Sequence, residues 1–379
     1  MDAVEEVRVE LGERSYTVSI GRGLLDNLPG FLPKRQWRKA VVVTDSNVGP
    51  LYAETAVTGL RALGLETVLL EMPAGESSKN ADRALEVVEF LISSGLTRSD
   101  VLVALGGGVV GDLTGFAASV FKRGIDIVHV PTSLMAQVDS SIGGKTAVNV
   151  PAAKNLIGTF HQPVAVVSDV DLLESLSARE FRSGLAEVAK YSLLTAKEWG
   201  RDFREDATGI ERMKHPRLAE VVAWCVREKA ELVSADERDT GVRHNLNYGH
   251  TLGHALEAVG GYDGTYSHGE AISIGMVYAA IVSEELGLGR RSLARDHMRL
   301  LESFGLPVRP PDEAPGFDAL ALSMAQDKKS AGDNVMMLLE EEGKPCVRRG
   351  LDSALLRRCY DLLISSPSRG EGASGACSR

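Results

Sequence analysis

The sequence VLVALGGGVVGD at residues 101–112 decides the fold class. Its first five residues are apolar and of strand length, which favours a buried β-strand. The strand runs directly into Gly106-Gly107-Gly108-Val109-Val110-Gly111, a G-x-G-x-x-G pattern that opens a helix. In that setting the glycines admit a pyrophosphate close to the backbone, and the helix start offers free N–H groups. We therefore predict a dinucleotide at this turn; a tight turn without a ligand is the alternative.

Strands and helices alternate on both sides of this stretch. Short apolar strands separated by helices are typical of a parallel sheet covered on both faces, with ligands at the carboxyl ends of the strands. Because residues 101–112 are not the first strand-to-helix turn, Asp45 at the end of the first such strand is the natural ribose contact. After a strand pair within residues 7–20, strands are predicted at 39–44, 66–72, 125–130 and 164–167, and helices at 51–63 and 81–94.

Beyond about residue 178 the strand pattern fades and helical periodicity takes over. Ser183 is predicted to cap a helix, and further helices are predicted at 219–235 and 269–286. A length of 379 residues suits two domains. The predicted organisation is an N-terminal Rossmann-like α/β nucleotide-binding domain (1–180), an all-α C-terminal domain for metal and substrate (181–364) and a disordered tail (365–379).

Composition excludes several classes of protein. The net charge of −10 argues against binding to nucleic acid or to an anionic membrane. The four cysteines are scattered without C-x-x-C spacing, so neither a disulfide framework nor a thiolate zinc site is indicated. The acidic N-terminal stretch has no apolar signal region, and no apolar run is long enough to span a membrane. We expect a cytoplasmic protein.

Half of the eight histidines fall within residues 243–270. His250 and His254 are four residues apart, which puts them on one face of a helix, and His268 follows a glycine-rich turn. A carboxylate with two imidazoles makes an open catalytic metal site, and Glu187 with two of these three histidines fits that description. The spacing alone favours His250 and His254 as the metal pair. Packed or surface histidines are the alternative.

A group of basic and amide side chains falls near the predicted strand ends of the N-terminal half. Residues 139–146 resemble a P-loop, but Asp139 stands where the first glycine is required, which excludes a nucleoside triphosphatase. Side chains near the strand ends can neutralise a phosphate and a carboxylate, although solvated surface residues are the alternative. From the residues alone we predict a metal- and nicotinamide-dependent enzyme acting on a phosphorylated or carboxylated polyol. The side chains predicted in loops near the strand ends are Arg123, Lys145, Lys154 and Asn155.

Several longer stretches, taken together, resemble the 3-dehydroquinate synthase family within the sugar phosphate cyclases. They are GGGVVGD (106–112), KRGIDIVHVPTSLMAQVDSSIGGKTAVN (122–149), KNLIGTFHQP (154–163), SGLAEVAKY (183–191), NLNYGHTLGHALE (245–257) and HGEAISIGM (268–276). The resemblance implies a dehydroquinate synthase-like fold and a lyase of the shikimate pathway. The implied reaction converts 3-deoxy-D-arabino-heptulosonate 7-phosphate to 3-dehydroquinate and phosphate, through transient oxidation by NAD, β-elimination, reduction and intramolecular aldol closure.

The resemblance also implies roles for particular residues. Zinc, for which cobalt can substitute, is expected on Glu187, His250 and His268, with His254 facing the substrate, and this overrules the pairing by spacing. A homodimer is expected, without nucleic-acid or membrane partners. NAD contacts are expected from Asp45, Glu76, Lys79, Gly108, Val109, Val110, Gly111, Asp112, Thr132, Ser133, Leu172, Leu173, Glu174 and Ser175. Substrate or catalytic contacts are expected from Asp139, Lys145, Lys154, Asn155, Lys190, Lys229, Arg243, Asn247, His254 and Lys329 or its neighbour Lys328, with phosphate on Arg123 and Lys154. Asp139, Lys145 and Lys154 are also expected near the cofactor.

Three other functions stay open at this point. A sister cyclase would act on sedoheptulose 7-phosphate or glucose 6-phosphate, which lack the carboxylate. Retention of Lys229, Arg243, His254 and the Lys328-Lys329 pair favours the heptulosonate. A metal-dependent NAD alcohol dehydrogenase would release NADH stoichiometrically. A catalytically silent binding protein is the third, and the retained site residues argue against it. Ala74, Ser78 and Ser133 lie in the expected cofactor region and depart slightly from the family pattern there.

Overall fold

The computed structural model describes residues 4–150, 153–205, 217–261, 265–311, 314–326 and 335–365. The chain divides into two compact units. The first consists of Met1–Val188 with Ile210–His244, and the second of Ala189–Gly209 with Asn245–Arg379. Lys328, Lys329 and the predicted tail beyond Ser365 lie outside the described residues.

A seven-stranded sheet forms the centre of the first unit. The strands of this unit are β1 (Glu5–Val9), β2 (Tyr16–Gly21), β3 (Lys39–Asp45), β4 (Glu66–Met72), β5 (Val101–Gly106), β6 (Asp126–Pro131), β7 (Lys145–Val150), β8 (Ala153–Phe160) and β9 (Ala165–Asp169). The sheet has the order β1-β2-β9-β6-β5-β3-β4. Only β1 and β2 pair antiparallel, and the other neighbours are parallel. The predicted parallel α/β sheet is confirmed.

Helices cover both faces of this sheet, which explains the uninterrupted apolar strands. The helices of the first unit are α1 (Gly49–Ala62), α2 (Ala81–Ser93), α3 (Gly108–Val120), the first part of α4 (Ala178–Leu194) and α6 (Leu218–Ala235). Val42 and Val103 pack with α1, while the neighbouring Val41 and Leu102 pack with α2 and α3. Each such fully buried side chain contributes about 1.5–3 kcal/mol to stability. The sheet thus holds the β5-to-α3 turn rigidly.

An antiparallel hairpin of β7 and β8 lies outside the main sheet. Val148 packs in the core beneath α3, and Gly115 of α3 allows this approach because a Cβ there would lie 2.5 Å from Thr146 Cγ2. The prediction of loops for Lys145, Lys154 and Asn155 was wrong, since Lys145 begins β7 and the other two lie in β8. Polar residues interrupt the apolar alternation of both strands, so the period-two signal is weak.

The second unit is mainly helical, as predicted. It contains the rest of α4, α5 (Glu198–Glu205), α7 (His250–Val259), α8 (His268–Glu285), α9 (Leu293–Ser303), α10 (Phe317–Gln326) and α11 (Ser353–Ser365). A hairpin of β10 (Met336–Glu341) and β11 (Lys344–Arg348) adds an element that the prediction did not include. None of the described helices is long and apolar enough to cross a membrane.

Helix α8 is the centre of the second unit. All of residues 271–283 are buried, and the helix contacts α7, α9, α11 and β10. A helix that is apolar on every side must be enclosed by its neighbours. The predicted cap at Ser183 was wrong, because α4 begins five residues earlier at Ala178 and Ser183 lies buried within it.

Candidate active site

Two of the clustered histidines are the first residues of helices. Gly249 precedes His250 with a φ of +81°, and a Cβ at Gly249 would lie 2.7 Å from Met276 Cγ. Ser267 and Glu270 form a capping box around His268, in which Glu270 N donates to Ser267 Oγ (3.3 Å) and Ser267 N donates to Glu270 Oε2 (2.8 Å). The S-x-x-E pattern thus fixes the start of α8 and the position of His268.

The three imidazoles of α7 and α8 lie together. Ring centroids are 5.2 Å apart for His250 and His254, 5.5 Å for His250 and His268, and 6.2 Å for His254 and His268. The predicted shared face of His250 and His254 is therefore confirmed. Ligand atoms of His254, His268 and the buried Glu257 lie within 4.8 Å of one another, so the cluster can offer nitrogen and oxygen donors to a cation.

Hydrogen bonds orient two of these rings in the same way. His250 Nδ1 lies 3.1 Å from the Tyr248 carbonyl oxygen, and His268 Nδ1 lies 3.2 Å from Glu257 Oε2. With Nδ1–H donating to an acceptor, Nε2 keeps its lone pair for a metal or a substrate, which is the usual arrangement of metal-binding histidines. These two rings are therefore held in an arrangement that suits metal binding.

The environment keeps His250 uncharged. Burial lowers its pKa well below the usual value, and the charges of Lys190, His254 and His268 lower it further. A neutral imidazole is the form that binds metals. Lys190 is itself almost fully buried on α4. Glu187 is fully buried on the same helix, three residues earlier, where helical spacing puts the two side chains on one face.

The first unit supplies the predicted dinucleotide turn. β5 ends at Gly106, Gly107 precedes α3, and Gly108 is the first residue of the helix. Thr132 N donates to Gly106 O (3.0 Å) and holds the end of β6 beside this turn. The strand–turn–helix context that the motif requires is present.

A polar network centred on the buried Lys79 lies next to the turn. Lys79 Nζ contacts the Asp112 carboxylate, and it donates to Asn155 Oδ1 at 2.5 Å. Burial raises the pKa of Asp112, while the charges of Lys79 and Lys229 oppose this rise. Asn149, which was not predicted, donates to Glu76 Oε1 (2.7 Å) and accepts from Asn155 N (2.9 Å). Four predicted residues, Glu76, Lys79, Asp112 and Asn155, are thus brought together.

Two further predicted cations are buried in the first unit. Lys229 Nζ lies 2.8 Å from Asp139 Oδ1 and 2.7 Å from the carbonyl oxygen of Asp139. Arg243 is 2% exposed and donates to the carbonyl oxygens of Gly143 (3.1 Å) and Glu237 (2.9 Å). These bonds hold both cations in one orientation, which is a requirement for recognising an anion with little reorganisation.

The loop before Arg243 is organised by carboxylates that the prediction missed. Asp236 accepts from Thr240 N (3.0 Å), Gly241 N (2.7 Å) and Arg243 N (3.2 Å), and these bonds lower its pKa to about 2. Asp239 contacts Lys145 Nζ and lies 3.2 Å from His244 Nδ1. Acidic residues after a helix are also common on ordinary protein surfaces. The sequence pattern therefore did not distinguish Asp236 and Asp239 from exposed carboxylates without such a role.

The remaining predicted residues lie at element ends or on the surface. Asp45 accepts from Asn47 N (2.9 Å) and Val48 N (3.0 Å) at the end of β3. Arg123 is exposed with a φ of +65°, and Asn247 is exposed at the end of a short 3-10 helix. Leu172, Leu173, Glu174 and Ser175 lie in another 3-10 helix, Val170–Ser175, where both leucines are buried. Ser133 and Lys154 are half-buried.

Comparison with solved structures defines the class of protein. The chain is similar to 2-deoxy-scyllo-inosose synthase, solved with carbaglucose-6-phosphate, NAD+ and Co2+, at a TM-score of 0.86 and 26% identity, covering 94% of this chain and 99% of that one. It is also similar to 2-epi-5-epi-valiolone synthase from Streptomyces hygroscopicus, solved with NAD+ and Zn2+. The TM-score is 0.81 and the sequence identity 28%, and the match covers 96% of this chain and 98% of that one. The fold is that of the sugar phosphate cyclases.

Sequence comparison identifies the family within this class. Models of the N-terminal and C-terminal parts of 3-dehydroquinate synthase match residues 69–183 and 184–330. A 3-dehydroquinate synthase from Acidithiobacillus ferrooxidans is 45% identical over 348 residues, 92% of this chain and 93% of that protein. The chain belongs to the 3-dehydroquinate synthase family, whose members are lyases. The predicted family and enzyme class are confirmed.

Proposed function

We propose that this chain converts 3-deoxy-D-arabino-heptulosonate 7-phosphate to 3-dehydroquinate and phosphate, a step of aromatic amino-acid biosynthesis. The observation that carries the proposal is the histidine cluster, in which the Nδ1 atoms of two rings are held by acceptors 3.1 and 3.2 Å away and a third ring lies beside them. The 45% identity to a 3-dehydroquinate synthase supports this reaction over that of another cyclase.

In this proposal Glu187, His250 and His268 hold a zinc ion, for which cobalt can substitute. One carboxylate and two neutral imidazoles, with an open position for substrate, are a ligand set of catalytic zinc sites. The lowered pKa of His250 and the Nδ1 bonds of both rings fit that role. Glu187 shares a helix face with Lys190, whose charge reaches His250. His254 is left to face the substrate.

NAD is proposed at the turn between β5 and α3. Free N–H groups at the start of α3 favour a pyrophosphate near Gly108. The network of Glu76, Lys79 and Asp112 then lies next to the cofactor, and Asp45 meets its ribose. When bound, NAD accepts and returns a hydride at a carbinol of the substrate, and the metal polarises the oxygen of that carbinol.

The chain's own basic residues orient an acidic substrate. Lys229 and Arg243 are buried and held by hydrogen bonds, so they meet the carboxylate with their charges already aligned. Arg123 and Lys154 bind the phosphate, which leaves by β-elimination. The polar groups proposed to hold the hydroxyls and the rest of the substrate are Asp139, Lys145, Asn155, Lys190, Asn247, His254 and Lys329 or Lys328.

A sister cyclase is the second candidate function, and the solved structures support it. One of them was solved with carbaglucose-6-phosphate, an analogue of glucose 6-phosphate. Their identities of 26% and 28% are lower than the 45% shared with a 3-dehydroquinate synthase. A substrate without a carboxylate would also forgo the charge–charge contact proposed with the buried Lys229 and Arg243.

We further propose that the chain acts as a homodimer in the cytoplasm. The family resemblance supports this assembly, and the exposed Arg123 is available to a neighbouring subunit. Light scattering of the protein as it elutes from a size-exclusion column tests the dimer. A mass near twice that of one chain is expected, and a monomer at assay concentration would contradict the proposed homodimer.

A comparison of substrates tests the proposed reaction. Metal-replete protein with NAD is offered the heptulosonate phosphate, sedoheptulose 7-phosphate and glucose 6-phosphate in separate assays, and phosphate release and the carbocyclic product are measured. Phosphate and 3-dehydroquinate from the heptulosonate phosphate alone are expected. Turnover of sedoheptulose 7-phosphate or glucose 6-phosphate instead would assign the chain to a sister cyclase.

A further inference from the structure

Glu257 is a buried carboxylate of the second unit to which the proposed reaction gives no role. It lies on α7, seven residues after His250, and is 7% exposed. A carboxylate held this far from water is unfavourable unless a cation or donor compensates it. Its Oε2 lies 3.2 Å from Nδ1 of His268 across the contact between α7 and α8. Glu257 is thus placed to act on the position and charge of that ring.

The two histidines proposed as zinc ligands differ in what holds them. The Tyr248 backbone carbonyl holds His250 at 3.1 Å, and no side-chain substitution removes that acceptor. The acceptor of His268 is the Glu257 side chain, which mutation can change without touching a proposed ligand. In both cases an acceptor on Nδ1 sets the tautomer and leaves Nε2 with its lone pair for a ligand.

We propose that Glu257 is a positioning residue for the metal site. Its carboxylate accepts the Nδ1–H of His268, fixes the ring so that Nε2 binds zinc, and makes that nitrogen a better donor. Its negative charge also balances a divalent cation that receives one negative charge from Glu187 and none from neutral His250 and His268. This inference rests on the proposed zinc site and adds a residue that the family resemblance did not assign.

Direct ligation is the competing role for Glu257. Its carboxylate belongs to a group with His254 and His268 whose ligand atoms lie within 4.8 Å of one another. Against direct ligation, Oε2 of Glu257 is already paired with Nδ1 of His268. A carboxylate bonded to the non-coordinating nitrogen of a histidine acts through that histidine.

Metal affinity measured without substrate tests the proposal. Zinc is titrated against a chromogenic chelator with the full chain, Glu257→Gln, Glu257→Ala and the control Glu285→Gln, which changes an exposed carboxylate at the far end of α8. Zinc affinity should fall roughly 10–100-fold in Glu257→Ala. Glu257→Gln should fall less, because its amide oxygen still accepts the Nδ1–H but carries no charge. The control should match the unchanged chain.

The outcomes separate this inference from the proposed function. Cobalt-loaded Glu257→Gln should keep the absorption bands of the unchanged chain, because its direct ligands are the same; altered bands would mean that Glu257 is itself a ligand and would overturn the proposal. Equal zinc affinities in all variants would also overturn it while leaving the zinc site intact. An unchanged chain that binds no zinc would refute the site itself. If Glu257→Ala does not fold, Glu257→Gln decides.

Discussion

Gly275→Ala is the substitution from which the structure predicts the largest effect on the histidine cluster. A Cβ at Gly275 would lie 1.9 Å from Gly249 O and 2.9 Å from Gly249 C, both backbone atoms at the start of α7. The first distance is about 1.5 Å short of ordinary van der Waals contact. No rotamer change relieves this clash, so α7 and α8 must separate by about that distance.

The separation should affect both stability and activity. An extra methyl group in a packed core costs about 1–3 kcal/mol, and contact with backbone puts this case at about 3 kcal/mol or more. His268 is seven residues before Gly275 on the same face of α8, so it moves away from His250 when the helices part. A misplacement of about 1 Å can lower turnover roughly 100-fold.

Graded controls make the prediction sharp. Gly253→Ala meets mainly the end of a flexible side chain, Ile272 Cδ1 at 2.6 Å, so its cost should be smaller. Gly316→Ala has no atom within 4 Å and should be neutral or stabilising by about 0.4–1 kcal/mol. Urea unfolding gives the free energies, and phosphate release gives the turnover. If the free energy of unfolding of Gly275→Ala lies within about 0.5 kcal/mol of that of the unchanged chain and turnover is kept, α7 and α8 are not in such close contact at Gly275.

Three further predictions concern charge, pH and metal. Lys229→Met removes the 2.8 Å contact with Asp139 and should lower kcat/KM for the heptulosonate phosphate roughly 10–100-fold, whereas an unchanged value would remove Lys229 from the site. Burial lowers the pKa of His297 to about 4; because the unfolded chain then takes up the proton first, stability should fall by about 3 kcal/mol as pH drops from about 6.5 to about 4. In His297→Gln, the free energy of unfolding measured with urea should depend less on pH in that window. The same slope in the variant and the unchanged chain would mean that His297 does not cause the loss of stability. A chelator should abolish phosphate release and added zinc or cobalt should restore it, so activity that survives complete metal removal would contradict the proposed site.

Local patterns predicted the sheet and the dinucleotide turn because their physical causes are local. The run Val101–Gly106 is apolar on both faces because helices cover both faces of the sheet. The glycines that follow it mark a turn whose strand and helix are adjacent in the chain. The period of the apolar residues also predicted α6 and α8 to within a residue or two at each end.

Contacts between distant residues could not be predicted in this way. The spacing of His250 and His254 predicted a shared helix face. It could not predict that Nδ1 of His250 is held by the Tyr248 carbonyl oxygen, or that Nδ1 of His268 is held by Glu257 through the α7–α8 contact. Asn149 was missed for the same reason, because its role depends on the hairpin that brings it beside Glu76. The resemblance to a family supplied assignments that neither periodicity nor spacing contains.

Turnover at a limiting amount of NAD tests whether the cofactor is reduced and reoxidised within one reaction cycle. Zinc-loaded protein is given far less NAD than heptulosonate phosphate, and phosphate, 3-dehydroquinate and NADH absorbance are followed to completion. We expect the amounts of phosphate and 3-dehydroquinate both to equal the amount of substrate supplied, and no NADH to remain. If product formation stops at the amount of NAD supplied and NADH accumulates in step, the chain is a dehydrogenase and the proposed reaction is wrong.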